Sequence, residues 1–475
     1  MAVGEDNAMT TEQSETLATA KRPTNPFLVL GLVGVVVAGV SFAGGFFVSA
    51  ASKVPEVVPT ADARPLPAQI VEPDGVRTCS ISKSLKVRPL GTQTALAIDG
   101  ESGKVLLSDN ADKPIAMGSV VKLLTATVAL DTLGPKGRLT TRVVDGTSAG
   151  TVIVIGGGDP TLRAGASSVY SGAASLSELA SQTVAAYQAK YPESPTITRV
   201  LIDLSMFPVD DAWHPTWPES ERTIGYQPRI VPFMVDGDRA NPGAQTSPRS
   251  TDPAGRAARA FVSALTQAGN GEGDVEIDFQ SAPSNARELA SVRSAPVSSL
   301  VSQMLLNSDN TLAEFLMRAS SVEAGFDGGA DSIQQLVLSS LNTFGVDMTG
   351  GTFIDGSGES AKNLLPPRAV VELVTQFFEG DKRLSAIGKA LPVAGKSGTL
   401  AARFTGSAAV ARGKVQAKTG WIKGVYALAG RIDTKRSGRT YFVVVARGKV
   451  NSNATAAIDK VVAGMYSCGT NLASF

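Results

Sequence analysis

The sequence predicts an α/β fold with strands at both ends of the folded body and helices between them. Three observations carry this. A hairpin pattern opens the body, with Thr94-Ala95-Leu96-Ala97-Ile98, then Asp99-Gly100, then Val105-Leu106-Leu107. An apolar helix pattern begins near Ser119, and two more strand patterns, Val425–Ile432 and Tyr441–Ala446, lie near the C-terminus. The 475 residues are enough for a sizeable core, and 43% apolar with 18% charged residues describes a globular chain, not a disordered one.

In chain order, the first element is Phe27–Ala51, 25 residues without a formal charge. A secretory core is usually about 7–15 residues and a membrane span about 20, so the segment reads as an anchor. The competing reading is a secretory signal cleaved near Ser49-Ala50-Ala51. Lys21 and Arg22 flank the segment on its amino side, which by the positive-inside rule puts residues 1–26 in the cytoplasm. The expected product is a single-pass protein of the cell membrane with an extracytoplasmic body. Residues 52–75 carry Pro55, Pro59, Pro65, Pro67 and Pro73 without helical periodicity and read as a semi-extended linker.

Charge and histidine content narrow the chemistry. Lys plus Arg number 44 against 43 Asp plus Glu, and no long basic run occurs, so nothing recommends a nucleic-acid partner. The one histidine, His214, sits in Trp213-His214-Pro215-Thr216-Trp217 and is read as structural. Ser-His-Asp, Cys-His and most catalytic zinc sites would all have to converge on it.

The helix after the hairpin carries Val120, Val121, Leu123, Leu124, Ala126, Val128 and Leu130, apolar nearly all round, as in a helix buried on most sides. Ser119 and Lys122, three apart, share one of its faces. A serine at the start of a helix lies near the positive end of the dipole, and a lysine one turn on takes its proton if burial lowers the amine's pKa. Ser-x-x-Lys alone is a weak signal, and Ser80-Ile81-Ser82-Lys83 matches it too, but without a long apolar helix behind it.

Two partner motifs follow in order. Ser308-Asp309-Asn310 introduces a helix pattern, Thr311 to Met317, with three good capping residues. Lys418-Thr419-Gly420 ends a short strand pattern, its glycine suited to a ligand backbone approaching closely. Ser108-Asp109-Asn110 is excluded by order and reads as a hairpin-to-helix turn. Lys396-Ser397-Gly398, with Ala390 and Gly395, mimics a phosphate loop but lacks the buried strand before it and the helix after it.

With these motifs the chain resembles the low-molecular-mass class C penicillin-binding proteins, D-alanyl-D-alanine carboxypeptidases and endopeptidases, from about residue 76 to the C-terminus. Gly156-Gly157-Gly158-Asp159-Pro160-Thr161-Leu162, Asp355-Gly356-Ser357-Gly358 and Gly398-Thr399-Leu400 before Arg403-Phe404 belong to the same resemblance. Glu359 and Ala361 depart from it, standing where Leu and Arg are expected, and Tyr226-Gln227-Pro228 replaces a more usual Ala-Pro.

The resemblance implies a β-lactamase/transpeptidase-like fold, an antiparallel sheet flanked by helices with an all-α half, and the active site where the two meet. The first two motifs lie 189 residues apart, from 119 to 308, so a large mixed domain inserted at about 138–290 is implied, with the catalytic domain at 76–137 and 291–475. It implies Ser119 as nucleophile, Lys122 as its base, Ser308 and Lys418 as a proton relay, and Asn310, Thr419, Gly420 and Trp421 as substrate-binding residues, with Trp421 lending a backbone N–H to the oxyanion hole. The implied partners are peptidoglycan stem peptides, with β-lactams as covalent inhibitors, and no cofactor or metal is expected. A serine β-lactamase and a non-enzymatic penicillin sensor remain as alternatives. Cys79 and Cys468, the only cysteines, are expected to pair, because that compartment permits oxidation and the family fold packs its first and last helices side by side.

Overall fold

The computed structural model describes residues 77–436 and 438–473. The expected cytoplasmic tail, anchor and linker, residues 1–75, lie outside the described residues. No helix among the described residues is long and apolar enough to cross a membrane.

After a short helix, Ser82–Leu85, the chain forms an antiparallel hairpin, β1 (Thr92–Asp99) and β2 (Val105–Asp109), longer than its sequence signal. Ser108 and Asp109 complete β2, where Asp109 pairs with Ala95, so only Asn110, at φ 52°, makes the turn expected of all three residues. The chain then enters the helix Lys122–Thr132, whose residues 122–130 are all buried. The expected start at Ser119 is one turn early, because Gly118–Val121 forms a tighter 3₁₀ turn, a common lead-in to an α-helix.

From there the chain leaves for a second sheet: β3 (Thr140–Asp145), β4 (Thr151–Ile155), β5 (Arg199–Asp203), β6 (Glu276–Phe279) and β7 (Glu288–Arg293). Its spatial order is β6-β5-β4-β3-β7, with β4, β5 and β6 mutually parallel and β3 antiparallel to both its neighbours. The helices Leu176–Lys190 and Pro253–Gln267 pack on each other and bury the apolar face of this sheet. The second of them shows why it forms there. The Asp252 side chain caps it by accepting from Gly255 N, Pro253 occupies the first turn, and Ala254, Ala257, Ala258, Phe261, Ala264 and Leu265 recur on one stripe. The sheet leaves and rejoins the rest through adjacent strands, Thr140 opposite Arg293, and Val297 N closes the neck by donating to Gly137 O at 2.9 Å.

On its return the chain builds the helical half around Lys122–Thr132 with Val297–Asn307, Asn310–Glu323 and Ile333–Thr343. It then completes the first sheet with β8 (Val415–Ile422), β9 (Val425–Asp433) and β10 (Arg439–Arg447). The order is β2-β1-β10-β9-β8, antiparallel throughout. Strand alternation splits β10 between two cores. Tyr441, Val443 and Val445 face the helical half, while Phe442, Val444 and Ala446 face the C-terminal helix Asn453–Cys468. Cys79 and Cys468 are joined by a disulfide with Cα atoms 5.5 Å apart, and Cys79 N also donates to Asn471 O.

Candidate active site

The 3₁₀ turn that carries Ser119 is wedged against β8. Gly118 has φ 54°, and a Cβ there would lie 2.8 Å from Trp421 N; a Cβ on Gly420 would lie 1.9 Å from Met117 O. Glycine at both places lets the nucleophile turn and the lysine strand touch backbone to backbone.

Lys122 is fully buried, and its Nζ donates to Ser119 Oγ at 2.9 Å, Asn310 Oδ1 at 2.7 Å and the Ser357 carbonyl at 2.6 Å. Burial lowers its pKa from 10.5 to about 8, against the opposing pull of Glu314, Glu359, Asp355 and Asp309. Glu314, one turn beyond Asn310, accepts from Ser357 N at 2.7 Å and Gly356 N at 3.2 Å. It thereby fixes the loop whose carbonyl receives Lys122, and burial raises its own carboxyl to about 7.

Ser308 ends one helix and precedes the next, in a left-handed conformation at φ 58° that is uncommon for a residue with a Cβ. That kink turns its hydroxyl to Lys418, whose Nζ donates to Ser308 Oγ at 2.8 Å and to Thr419 O at 2.9 Å. Lys418 sits mid-strand on β8, not at its end, fully buried on the face opposite Val415 and Ala417. Burial, with the charge of Lys122 beside it, pushes its pKa well below the ordinary lysine value. Asp309 caps the helix that follows by accepting from Leu312 N at 3.0 Å.

Ser119 and Ser308 open on one cleft of about 260 Å³, lined also by Asn310, Thr419, Trp421, Glu221, Tyr226 and Glu359. Trp421 is 52% exposed at the rim, and Thr419 donates to Thr399 Oγ1 at 2.9 Å. The sequence decoys lie elsewhere: Ser80 and Lys83 are on the surface, and Ser397 closes a turn by accepting from Val393 N. His214 lies outside the cleft lining, its Nδ1 2.7 Å from Thr216 Oγ1. No group of three or more His, Cys, Asp or Glu placed to hold a metal occurs among the described residues.

Sequence reasoning assigned no role to Glu314, the Ser357 carbonyl, Glu359 or Arg239, the last of which pairs with Asp309. Glu314 carried a usable signal, since four residues after Asn310 it must share that residue's helix face. The others depend on loop contacts, which have no period to read.

A family model described as D-Ala-D-Ala carboxypeptidase 3 (S13) matches residues 79–248 and 239–466. The chain belongs to this family. Among its relatives, Carboxypeptidase DacB of Mycolicibacterium smegmatis is 33% identical over 93% of this chain and 96% of its own length. A carboxypeptidase of Mycobacterium tuberculosis is 33% identical over 87% of each. The fold is also that of penicillin binding protein 4 (dacB) from Haemophilus influenzae, with TM-score 0.67 at 18% identity, covering 81% of this chain and 98% of that one. As an S13 member the protein is a serine-type D-Ala-D-Ala carboxypeptidase, with the mixed α/β fold of penicillin-binding proteins.

Proposed function

We propose that Ser119 is the acylated residue and that the cleft cleaves the terminal D-Ala-D-Ala bond of peptidoglycan stem peptides. The observation that carries this is the hydrogen bond from Lys122 to Ser119 in a cleft that also holds the Ser308–Lys418 pair. In its amine form Lys122 accepts the Ser119 proton as Oγ attacks the carbonyl carbon between the two D-alanines. The backbone N–H groups of Ser119 and Trp421 hold the developing oxyanion. The C–N bond then breaks, and Ser308 passes a proton from Lys418 to the departing amine of D-alanine. Water attacks the remaining ester and gives up a proton that reaches Lys418 through Ser308, while Lys122 returns its proton to Ser119 Oγ as the shortened peptide leaves, so that both lysines are restored. Asn310 holds the substrate amide and Thr419 and the Lys418 charge its terminal carboxylate, while Gly420 admits Met117 O and so seats the Ser119 turn beside them.

β-Lactams would acylate the same serine, and a slowly hydrolysed penicilloyl ester separates this reading from a β-lactamase. The second sheet is proposed as the inserted domain at about 138–290, and Phe27–Ala51 as the anchor that keeps the body outside the cell membrane. Mass spectrometry of purified muropeptides after incubation with the enzyme tests the activity. Release of free D-alanine from pentapeptides supports a carboxypeptidase, and loss of cross-linked dimers reveals endopeptidase action. Unchanged muropeptides would reject both.

A further inference from the structure

We propose that Glu359 is a positioning residue for acylation, holding the Asn310 side-chain amide in the one orientation that leaves the Lys122 lone pair free for the Ser119 proton. This rests on the assignment of Ser119 and Lys122 as nucleophile and base.

The two ends of an asparagine amide are nearly the same shape, so only their partners fix which is which. Here Asn310 Oδ1 accepts from Lys122 at 2.7 Å, and Asn310 Nδ2 donates to Glu359 Oε2 at 3.1 Å. While Lys122 is an ammonium, the flipped amide would set donor against donor, so Lys122 alone suffices to orient Asn310. That discrimination disappears at the moment the base acts. A neutral amine accepts as well as donates, so a flipped Nδ2 would donate into the lone pair that must receive the Ser119 proton. A carboxylate at 359 removes this option, because the flip would bring Oδ1 against its oxygens. A leucine, the residue the family resemblance expects at this position, has no such preference.

Charged groups surround Glu359. It is half-buried in the cleft wall, facing Glu221 from the short helix Ser220–Ile224, Asp355 from its own loop and Lys122 from the buried helix. Lys122 in turn is faced by Glu314, Asp355 and Asp309 as well as Glu359, and lies near Lys418. Burial, then the Glu221 carboxylate, raises Glu359 to about 7, while the Lys122 charge and the Asn310 amide act the other way and favour its anion.

The test measures second-order acylation of the full chain by a fluorescent penicillin from pH 5.5 to 9.5, for wild type, Glu359→Leu and the near-isosteric Glu359→Gln. Thermal unfolding checks that each variant is folded. Glu359→Leu is expected to lower the high-pH plateau about tenfold. Both variants should move the Lys122 midpoint down by roughly half a pH unit or more, because an anion beside the ammonium has been removed. A wild-type plateau in a folded Glu359→Leu would overturn the positioning role, and a wild-type midpoint in Glu359→Gln would overturn the electrostatic one. Ser119→Ala run alongside separates the two levels, since labelling that survives there rejects the assignment of the nucleophile itself.

Discussion

Arg239 and Asp309 form an ion pair, Nη2 to Oδ2 at 2.7 Å, with side chains only 1% and 3% exposed. Gln245 Nε2 donates to the same carboxylate oxygen at 3.0 Å, and Arg239 Nη1 donates to Tyr170 Oη at 2.7 Å. The pair binds a loop that follows β5 to the residue between Ser308 and Asn310. Burial alone would raise the Asp309 pKa, but Arg239 and the Leu312 N–H hold it below the ordinary carboxylate value. Removing one partner strands a buried charge, so Arg239→Met should destabilise the protein by about 3–5 kcal/mol in urea unfolding. Arg239→Met with Asp309→Asn should lose less than the two single changes together. A loss under about 1 kcal/mol for Arg239→Met would show that the pair is structurally idle.

Ser119→Ala should abolish covalent labelling by penicillin while leaving the unfolding temperature close to wild type, because the half-buried hydroxyl makes one hydrogen bond, received from Lys122. Intact-protein mass spectrometry checks it directly. A penicilloyl adduct persisting at another serine, such as Ser80, would displace Ser119 from its role.

The acylation rate should climb with pH through about 8. The sign follows from the working form of Lys122: burial favours the neutral amine, so the base accumulates as pH rises past about 8 in place of the 10.5 of an ordinary lysine. Stopped-flow acylation across the range reads this. A rise centred near pH 10, or a fall, would contradict the buried-amine assignment.

Cys79→Ser or Cys468→Ser should lower stability. Closing a loop across a sequence separation of 389 residues is worth about 6 kcal/mol in the chain-entropy model, an upper bound on the loss. Thiol titration of denatured, unreduced wild type should find no free thiol. Two reactive thiols would refute the bridge.

Full-length protein should stay in membranes through a high-salt wash, because an apolar span of 25 residues is not held by charge. Amino-terminal sequencing provides the contrary outcome, a mature end near residue 52.

How much of this was legible in sequence depended on periodicity. Ser119 and Lys122 could be paired from their spacing together with the apolar helix behind them and the motifs that follow, and the strands of the first sheet from their apolar runs. The motif order singled out Ser308, Asn310 and Lys418, though not that Lys418 sits mid-strand, which only the full β8–β9 register reveals. Glu359 meets Asn310 across 49 residues, and Arg239 meets Asp309 across 70, each from an aperiodic loop. No local pattern encodes such contacts, because what selects them is the burial of a charge against a polar or charged partner after the chain has closed.

The disulfide also determines how the molecule responds to tension. Cys79 and Cys468 lie 389 positions apart along the chain, yet their Cα atoms are 5.5 Å apart. A pull applied between the two chain ends therefore runs through one covalent link and bypasses the nucleophile turn, the Ser308 kink and β8. Drawn out fully, the bypassed segment would extend about 1,300 Å, and while the sulfurs stay joined none of that length can be paid out. Strain applied between the two termini therefore leaves the Ser119–Lys122 contact unloaded.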